Sequence, residues 1–167
     1  GPLGNKFDVV YTDSYIGAKS WEQAENNLLK HTVTGVLAKA ELTCNDMDYV
    51  FTGDLLNQCV ASAYGLMKYD VPYFGLYGAC STAAEGLLLS SMLVSSGVLD
   101  LAAAVTSSHN AAAERQYRNP LEYGGQRTPT SQWTVTGAAA FVVGRGGTPL
   151  AEITDVMPGI VVEKGIA

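Results

Sequence analysis

The segment from Thr82 to Ser96 constrains the fold of this chain more than any other. Thr82 and Glu85 have the spacing of a capping box, which predicts a helix that begins at Thr82, and Gly97 predicts its end. Apolar side chains occupy nearly every side of this predicted helix, and Glu85 is its only charge. A helix that is apolar all round is covered on all its faces by other elements. The sequence therefore predicts a layered domain in which this helix is buried.

Cys80 lies directly before this helix, at a position that favours a functional site. The run from Val71 to Tyr77 has the composition of a strand, and Gly78-Ala79 is a turn of small residues. Cys80 is therefore expected on a tight strand-to-helix turn, where free backbone N–H groups and the positive end of the helix dipole are gathered. Such a position suits a reactive thiolate or an anionic ligand. A buried structural cysteine is the alternative interpretation.

Helical and strand-like patterns alternate along the rest of the chain. Trp21–Ala40 has the pattern of an amphipathic helix. Asn57 is placed to cap a helix that runs to about Lys68, with Val60, Tyr64 and Met67 facing inward. Strand-like patterns cover further segments, namely Tyr49–Gly53, Leu99–Ser107, Thr134–Val143 and Leu150–Val156. This alternation predicts an α/β fold with a mostly parallel sheet, in which ligands bind beyond the carboxyl ends of the strands.

Candidate site residues follow the predicted strand ends. They are Cys80 and a set of polar side chains, namely Asp54, Asn57, Ser81, Ser107, Ser108, His109 and Asn110. Of the two histidines, His31 is expected on a solvated helix face, so His109 is the candidate for a base or a ligand-facing group. The alternative is that His109 only ends a strand and caps the next helix. Three of the four arginines also fall close together, which indicates either a local anion site or an ordinary polar loop; these are Arg115, Arg118 and Arg127.

Composition and charge argue against several classes of protein. With 47% hydrophobic and 16% charged residues, the 167-residue chain is expected to form a well-buried globular domain. Its net charge of −6 argues against a nucleic-acid partner. Three cysteines without a Cys-x-x-Cys pair predict neither a disulfide framework nor a metal site, and they favour an intracellular compartment. We also expect no signal peptide, no membrane-spanning run of about 20 apolar residues and no cofactor.

Several motifs carry a resemblance to known proteins. Gly-Ala-Cys-Ser-Thr between a strand and an apolar helix, followed by an alanine-rich strand and by Thr-Gly-Ala-Ala-Ala-Phe-Val-Val, resembles the thiolase and ketoacyl-synthase superfamily. More closely, the chain resembles the family of stage V sporulation protein AD of spore-forming Firmicutes. The segments that carry this closer resemblance extend over almost the whole chain and include Gly53–Gln58, Gly78–Thr82, Thr106–Asn110, Ala113–Arg118, Glu122–Gln126 and Thr134–Gly137.

The resemblance implies a duplicated fold with two similar halves, each built on a mixed, mostly parallel five-stranded sheet with layered helices. Residues 1–147 would then form the first half, which carries Cys80, and residues 148–167 would begin the second. The superfamily's catalytic histidine and its partner belong to the second half. A homodimer is also implied, with the strands around Tyr73–Tyr77 paired across the interface.

The closer resemblance implies a function in sporulation. It implies binding of dipicolinic acid, a small aromatic dicarboxylate that is loaded into the developing spore with calcium. It also implies work beside membrane proteins of the same operon, as a peripheral protein at the forespore inner membrane. The ligand-binding residues that we expect on this basis are Asp54, Asn57, Cys80, Ser81, Ser108, His109, Asn110, Arg115 and Arg118.

Two other functions remain open at this point. The first is acyl transfer, with Cys80 as the nucleophile that forms a thioester, as the superfamily resemblance implies. Because the base for that reaction would come from the second half, we do not expect this chain alone to be an active enzyme. The second is a scaffold in which the cleft around Cys80 is a relic and the protein acts through its interfaces.

Overall fold

The computed structural model describes residues 3–113 and 135–165 of the chain. Within these ranges the helices are α1 (Trp21–Lys39), α2 (Val60–Leu66) and α3 (Thr82–Ser95). The strands are β1 (Tyr49–Gly53), β2 (Tyr73–Gly75), β3 (Leu101–Ser108) and β4 (Gly137–Gly144). Short 3-10 turns lie at Gly4–Lys6, Cys44–Asp46 and Ala79–Ser81. No helix in the described ranges is both long enough and apolar enough to cross a membrane.

The strands form one mixed sheet in the order β2-β1-β3-β4. Strand β1 is parallel to β2 and to β3, whereas β4 runs antiparallel to β3. The predicted α/β fold with a mixed, mostly parallel sheet is confirmed, but the described residues form four strands and not five. Leu150–Val156 does not form the predicted strand, and almost all of it is exposed. A strand needs a neighbour that offers backbone hydrogen bonds, and the described residues offer none to this segment.

Helix α1 begins where the sequence predicts and packs on one face of the sheet. Ser20 Oγ accepts a hydrogen bond from the backbone N–H of Gln23 (3.3 Å), which is the arrangement of an N-cap. The opposing sheet face carries Val50, Ala103 and Val105. The buried side chains of α1 form one stripe along the helix and comprise Ala24, Glu25, Leu28, Leu29, Val33 and Leu37.

Helix α3 packs on the opposite face, which carries Phe51 and Ala102, because side chains alternate between the two faces of a sheet. Its buried residues recur every fourth position and are mostly small: Thr82, Gly86, Ser90 and Val94. A Cβ on Gly86 would lie 3.0 Å from Ala104 Cβ, so α3 and β3 approach closely. The leucines of α3 are only half-buried. The described residues cover one face of α3, and the expectation that other elements cover its remaining faces stays a prediction for the complete protein.

Helix α2 begins later than predicted. Asn57 is exposed and does not cap the helix, which begins only at Val60. Cys59 precedes α2 with a left-handed backbone (φ 56°) and makes no side-chain cap. The loop between β1 and α2 is instead fixed from its other end, by the buried carboxylate of Asp54.

The face that α2 turns inward also differs from the prediction. The helical spacing predicts Tyr64 and Met67 on the inner face, yet they are 59% and 66% exposed. Helix α2 contacts α1 through Gly65, where an added Cβ would lie 2.7 Å from Leu29 Cδ2. A small side chain at residue 65 permits this close approach. Leu66 is the large side chain that α2 buries, whereas Tyr64 faces outward.

Candidate functional site

The carboxyl ends of the parallel strands meet at one edge of the sheet, as predicted. Gly53 at the end of β1 is paired with Thr106 near the end of β3. A Cβ on Gly53 would collide with the carbonyl oxygen of Leu76 and would lie 2.8 Å from Thr82 Cγ2. The end of β1 therefore lies directly against the start of α3 and against the segment that leads from β2 to Cys80.

Cys80 lies at the position that the sequence predicts. It is the central residue of the 3-10 turn Ala79–Ser81, which leads directly into α3, and it is exposed. Ala79 has a positive φ of 51°, which is uncommon for a residue with a side chain. Cys80 is thus exposed at the amino end of α3, where the N–H groups of Ser81 and Thr82 donate to the carbonyl oxygens of Gly78 and Ala79 within the 3-10 turn.

The cap of α3 differs from the predicted capping box. Thr82 is buried, with only 2% of its surface accessible, and so it does not cap the helix from outside. Ser81 holds the N-cap position, but its side chain accepts no hydrogen bond from a helix N–H. Its Oγ lies 2.8 Å from the carbonyl oxygen of Gly78 and within hydrogen-bonding distance of Glu85 Oε1. A Cβ added at position 78 would displace the side-chain ends of Ser81 and Glu85.

Asp54 is buried and engaged by local donors. Its Oδ1 accepts a hydrogen bond from the Leu56 N–H (2.8 Å). Its Oδ2 accepts from the N–H and the Oγ–H of Ser62, at 2.8 and 2.6 Å. Because these three bonds join the end of β1 to the first turn of α2, Asp54 organises the loop rather than presenting its carboxylate to solvent.

His109 is also buried, with both ring nitrogens bound to the backbone. Nδ1 accepts a hydrogen bond from the Ala111 N–H (3.2 Å), and Nε2 lies 2.8 Å from the carbonyl oxygen of Ser14. A carbonyl oxygen only accepts, so Nε2 carries the proton and the ring is neutral. The centroid of the Trp21 ring lies 5.4 Å from the centroid of the imidazole. The structure therefore gives His109 the environment of a tie between the end of β3 and the segment before α1, which corresponds to the structural alternative for this residue.

The remaining predicted residues are distributed around the same edge. Ser108 ends β3 and is half-buried, and Asn110 is exposed, with its N–H donating to Thr136 Oγ1 (3.0 Å). Asn57 lines a shallow cleft of about 450 Å³ together with Tyr73 and Tyr77. The arginines that we singled out lie outside the described residues: Arg115, Arg118 and Arg127.

Glu25 is a site residue that sequence reasoning missed. Its side chain is completely buried on α1, and Oε1 accepts a hydrogen bond from Ser107 Oγ (3.1 Å). The signal was available, because Glu25 continues the series Leu29, Val33 and Leu37 at a spacing of four residues. A charge in such a series faces the core and needs a polar partner there.

Comparison with known proteins identifies the family. The sequence pattern of the Stage V sporulation protein AD family matches residues 1–167. The chain is 43% identical, over 166 residues, to Stage V sporulation protein AD of Bacillus subtilis (strain 168). That alignment covers 99% of this chain and 49% of the relative, so the chain spans about half the length of the curated relative that it matches.

Solved structures show the fold class. The priming β-ketosynthase of the R1128 polyketide pathway is similar with a TM-score of 0.60 and 18% identity, over 79% of this chain and 38% of that chain. The 3-oxoacyl-[acyl-carrier-protein] synthase III of Aquifex aeolicus VF5 gives a TM-score of 0.56 and 18% identity, over 74% and 39%. These likenesses extend over well under half of each ketosynthase and show a thiolase-like half. By sequence, the chain belongs to the Stage V sporulation protein AD family.

Proposed function

We propose that this chain is the cysteine-bearing half of a sporulation protein that binds dipicolinic acid and supports its uptake into the developing spore. The observation that carries the proposal is the exposure of Cys80 on the turn that begins α3. The positive end of the α3 dipole lies at this turn and attracts a carboxylate. Membership of a family of sporulation proteins supports the biological setting.

A dicarboxylate needs a second anion-binding group, and the segment after β3 supplies candidates. Asn110 is exposed just beyond the end of β3, and Arg115 and Arg118 follow it in the sequence. A guanidinium group pairs with a carboxylate through two parallel hydrogen bonds, which gives both affinity and orientation. In this proposal His109 holds the start of the segment and does not contact the ligand, because both its nitrogens are bound to the backbone.

We further propose that the protein is a homodimer that pairs through β2. This strand is at the edge of the sheet, and its residues Tyr73 and Phe74 and the nearby Tyr77 are 41%, 52% and 54% exposed. An exposed edge strand offers free backbone donors and acceptors for pairing with another copy. The other expected partners are dipicolinate with calcium and the membrane proteins of the same operon. The protein would lie inside the cell, peripherally at the forespore inner membrane.

The alternative function is acyl transfer, which the exposed Cys80 in a thiolase-like half favours. The Cys80 thiol would give its proton to a base, and the thiolate would attack an acyl-coenzyme A thioester to form an acyl–Cys80 thioester. The released thiolate of coenzyme A would take the proton back from the base. The described residues offer no evident base for the step. His31 Nδ1 lies 2.7 Å from Tyr11 Oη, and His109 is tied to the backbone. The second half would have to supply the base, so we prefer the binding function.

Isothermal titration calorimetry of the complete protein with dipicolinate, with and without calcium, tests the proposal. Arg115→Ala should weaken binding more than about tenfold, because loss of one partner of a desolvated charged hydrogen bond costs about 2–5 kcal/mol. Arg145→Ala is the matched control, since Arg145 pairs with Asp100 near the amino end of β3, away from Cys80. This control should bind dipicolinate as the unchanged protein does.

Mass spectrometry after incubation with acyl-coenzyme A separates the two functions. A binding protein shows no acyl adduct on Cys80, whereas an acyltransferase shows a stoichiometric thioester. Such an adduct, combined with no heat of binding for dipicolinate, would replace the proposed function by the alternative.

A further inference from the structure

We infer that Cys59 is a positioning residue that fixes the turn carrying Cys80 through a hydrogen bond to the carbonyl oxygen of Leu76. Cys59 lies on the loop before α2, whereas Leu76 lies on the segment between β2 and Cys80. The thiol donates to the Leu76 oxygen over 3.3 Å. The inference rests on the proposed function, in which Cys80 belongs to the ligand-binding site.

The conformation of Cys59 is suited to this contact. Its backbone is left-handed, with φ 56°, which is uncommon for residues other than glycine. Its N–H donates to the carbonyl oxygen of Leu56 (2.7 Å), and its own carbonyl oxygen accepts from the N–H of Ala63 (3.0 Å). Asp54 fixes the same loop through Ser62, so Cys59 is held by the backbone on both sides. A rigid loop therefore aims the thiol at Leu76.

The surroundings of Cys59 keep its thiol a donor. Burial and, secondarily, the negative charge of Asp54 raise the pKa of Cys59 above its ordinary value. A raised pKa means that the sulfur keeps its hydrogen over a wider range of pH, and only the protonated sulfur can donate. Gly75 of β2 lies beside the sulfur, where an added Cβ would be 3.5 Å away, and both residues line the shallow cleft described above.

The backbone of Leu76 is fixed by three contacts. Its N–H donates to the carbonyl oxygen of Thr52 in β1 (2.7 Å), and its carbonyl oxygen accepts from Cys59 (3.3 Å). The same oxygen lies so close to Gly53 that a side chain there is excluded. Only the short run from Tyr77 to Ala79 separates this fixed peptide from Cys80. The Cys59 bond is the one side-chain contact among the three, so a substitution can remove it alone.

The rate at which Cys80 reacts with iodoacetamide tests the inference in the complete protein, with the modified residue identified by peptide mass spectrometry. Cys59→Ala removes the donor, and Cys59→Gly removes it while suiting the positive φ. Cys59→Ser keeps a donor. Without the bond the turn is held less firmly against the start of α3 and presents the exposed Cys80 less consistently, so alkylation should slow about threefold in the alanine and glycine variants. The serine variant should stay within about twofold of the unchanged protein.

Several outcomes would overturn the inference. One is alkylation at the unchanged rate in a folded alanine or glycine variant. Another is equal slowing in the serine variant, which would assign the effect to packing. Cys44→Ala is the matched control, because Cys44 is half-buried beside the α1 core; slowing of this variant to the same degree would also overturn the inference. Melting temperatures show which variants are folded, and the glycine variant replaces the alanine variant if the latter is unfolded. Dipicolinate binding is measured separately from the alkylation rates. If the unchanged protein does not bind dipicolinate, the proposed function is overturned, whereas the role of Cys59 is still judged by the rates.

Discussion

Helices α1 and α3 cover opposite faces of the same sheet in different ways. Helix α1 buries large aliphatic side chains such as Leu29 and leaves a polar outer face. The described residues therefore cover the apolar stripe of α1. Helix α3 buries mainly small side chains, such as Gly86, and leaves its leucines half-covered. Small residues let α3 lie close to the sheet, while its outer leucines remain available to a further layer. The helix on one face of the sheet therefore leaves few apolar side chains exposed, whereas the helix on the other face leaves several leucines half-exposed.

Equivalent leucine truncations should show this difference most strongly. Leu29→Ala should lower the free energy of unfolding by about 2–5 kcal/mol, because Leu29 is fully buried and its loss leaves a cavity. Leu88→Ala in the half-buried outer face of α3 should cost less than about 1 kcal/mol in this chain. Urea unfolding followed by circular dichroism measures both values.

The same leucine pair tests whether α3 is covered in the complete protein. There the cost of Leu88→Ala should rise towards that of Leu29→Ala, because a second layer would bury the side chain. A cost for Leu88→Ala that is equally small in the complete protein would show that the outer face of α3 stays open.

A second comparison uses the carboxylates of the two helices. Glu25→Ala should destabilise the protein by about 1–3 kcal/mol, because it leaves the buried hydroxyl of Ser107 without this acceptor. Glu85→Ala removes a contact with Ser81 at the exposed start of α3 and should cost less than about 1 kcal/mol. Thermal unfolding of the two variants side by side gives the order; equal shifts in melting temperature would contradict it.

The smallest effect is expected from a pair of glycines. Gly86→Ala should destabilise by about 1 kcal/mol, since the strain of the new contact with Ala104 outweighs the gain in helix propensity. Gly35→Ala on α1 should instead stabilise by about 0.5–1 kcal/mol, because nothing lies within 4 Å of the added Cβ. The opposite signs are the result to look for in urea midpoints. Stabilisation by both substitutions would mean that α3 is not tightly packed on the sheet.

Local patterns predict the regular elements of this chain well. The predicted bounds of β1 agree with the structure to the residue, and those of α1 and α3 to within one residue, because hydrophobic periodicity, the Ser20 cap and the Gly97 stop are encoded nearby. The capping box predicted at Thr82 is wrong, because Thr82 is buried. The position of Cys80 follows from the same signals. The predictions that are wrong depend on tertiary structure. The start of α2 is set by Asp54 and by the left-handed Cys59, and the loss of the strand after residue 150 depends on a pairing partner.

The role of His109 shows why the site is harder to predict than the fold. Its Nε2 partner is the carbonyl oxygen of Ser14, 95 residues earlier in the chain. No local pattern indicates that these two residues meet. A histidine that links two buried segments and a histidine that faces a ligand therefore look the same in the sequence. Asp54 is a similar case, because this carboxylate at a strand end serves its own loop.

Gly53 offers a way to judge distant relatives from a single position of their sequences. The carbonyl oxygen of Leu76 occupies the space where a side chain at residue 53 would begin. Any relative with another residue there must route its chain differently before the cysteine turn, even if the Gly-Ala-Cys-Ser-Thr letters are intact. Retention of the cysteine motif is therefore weak grounds for transferring a function between such proteins, and glycine at this position is the stricter criterion.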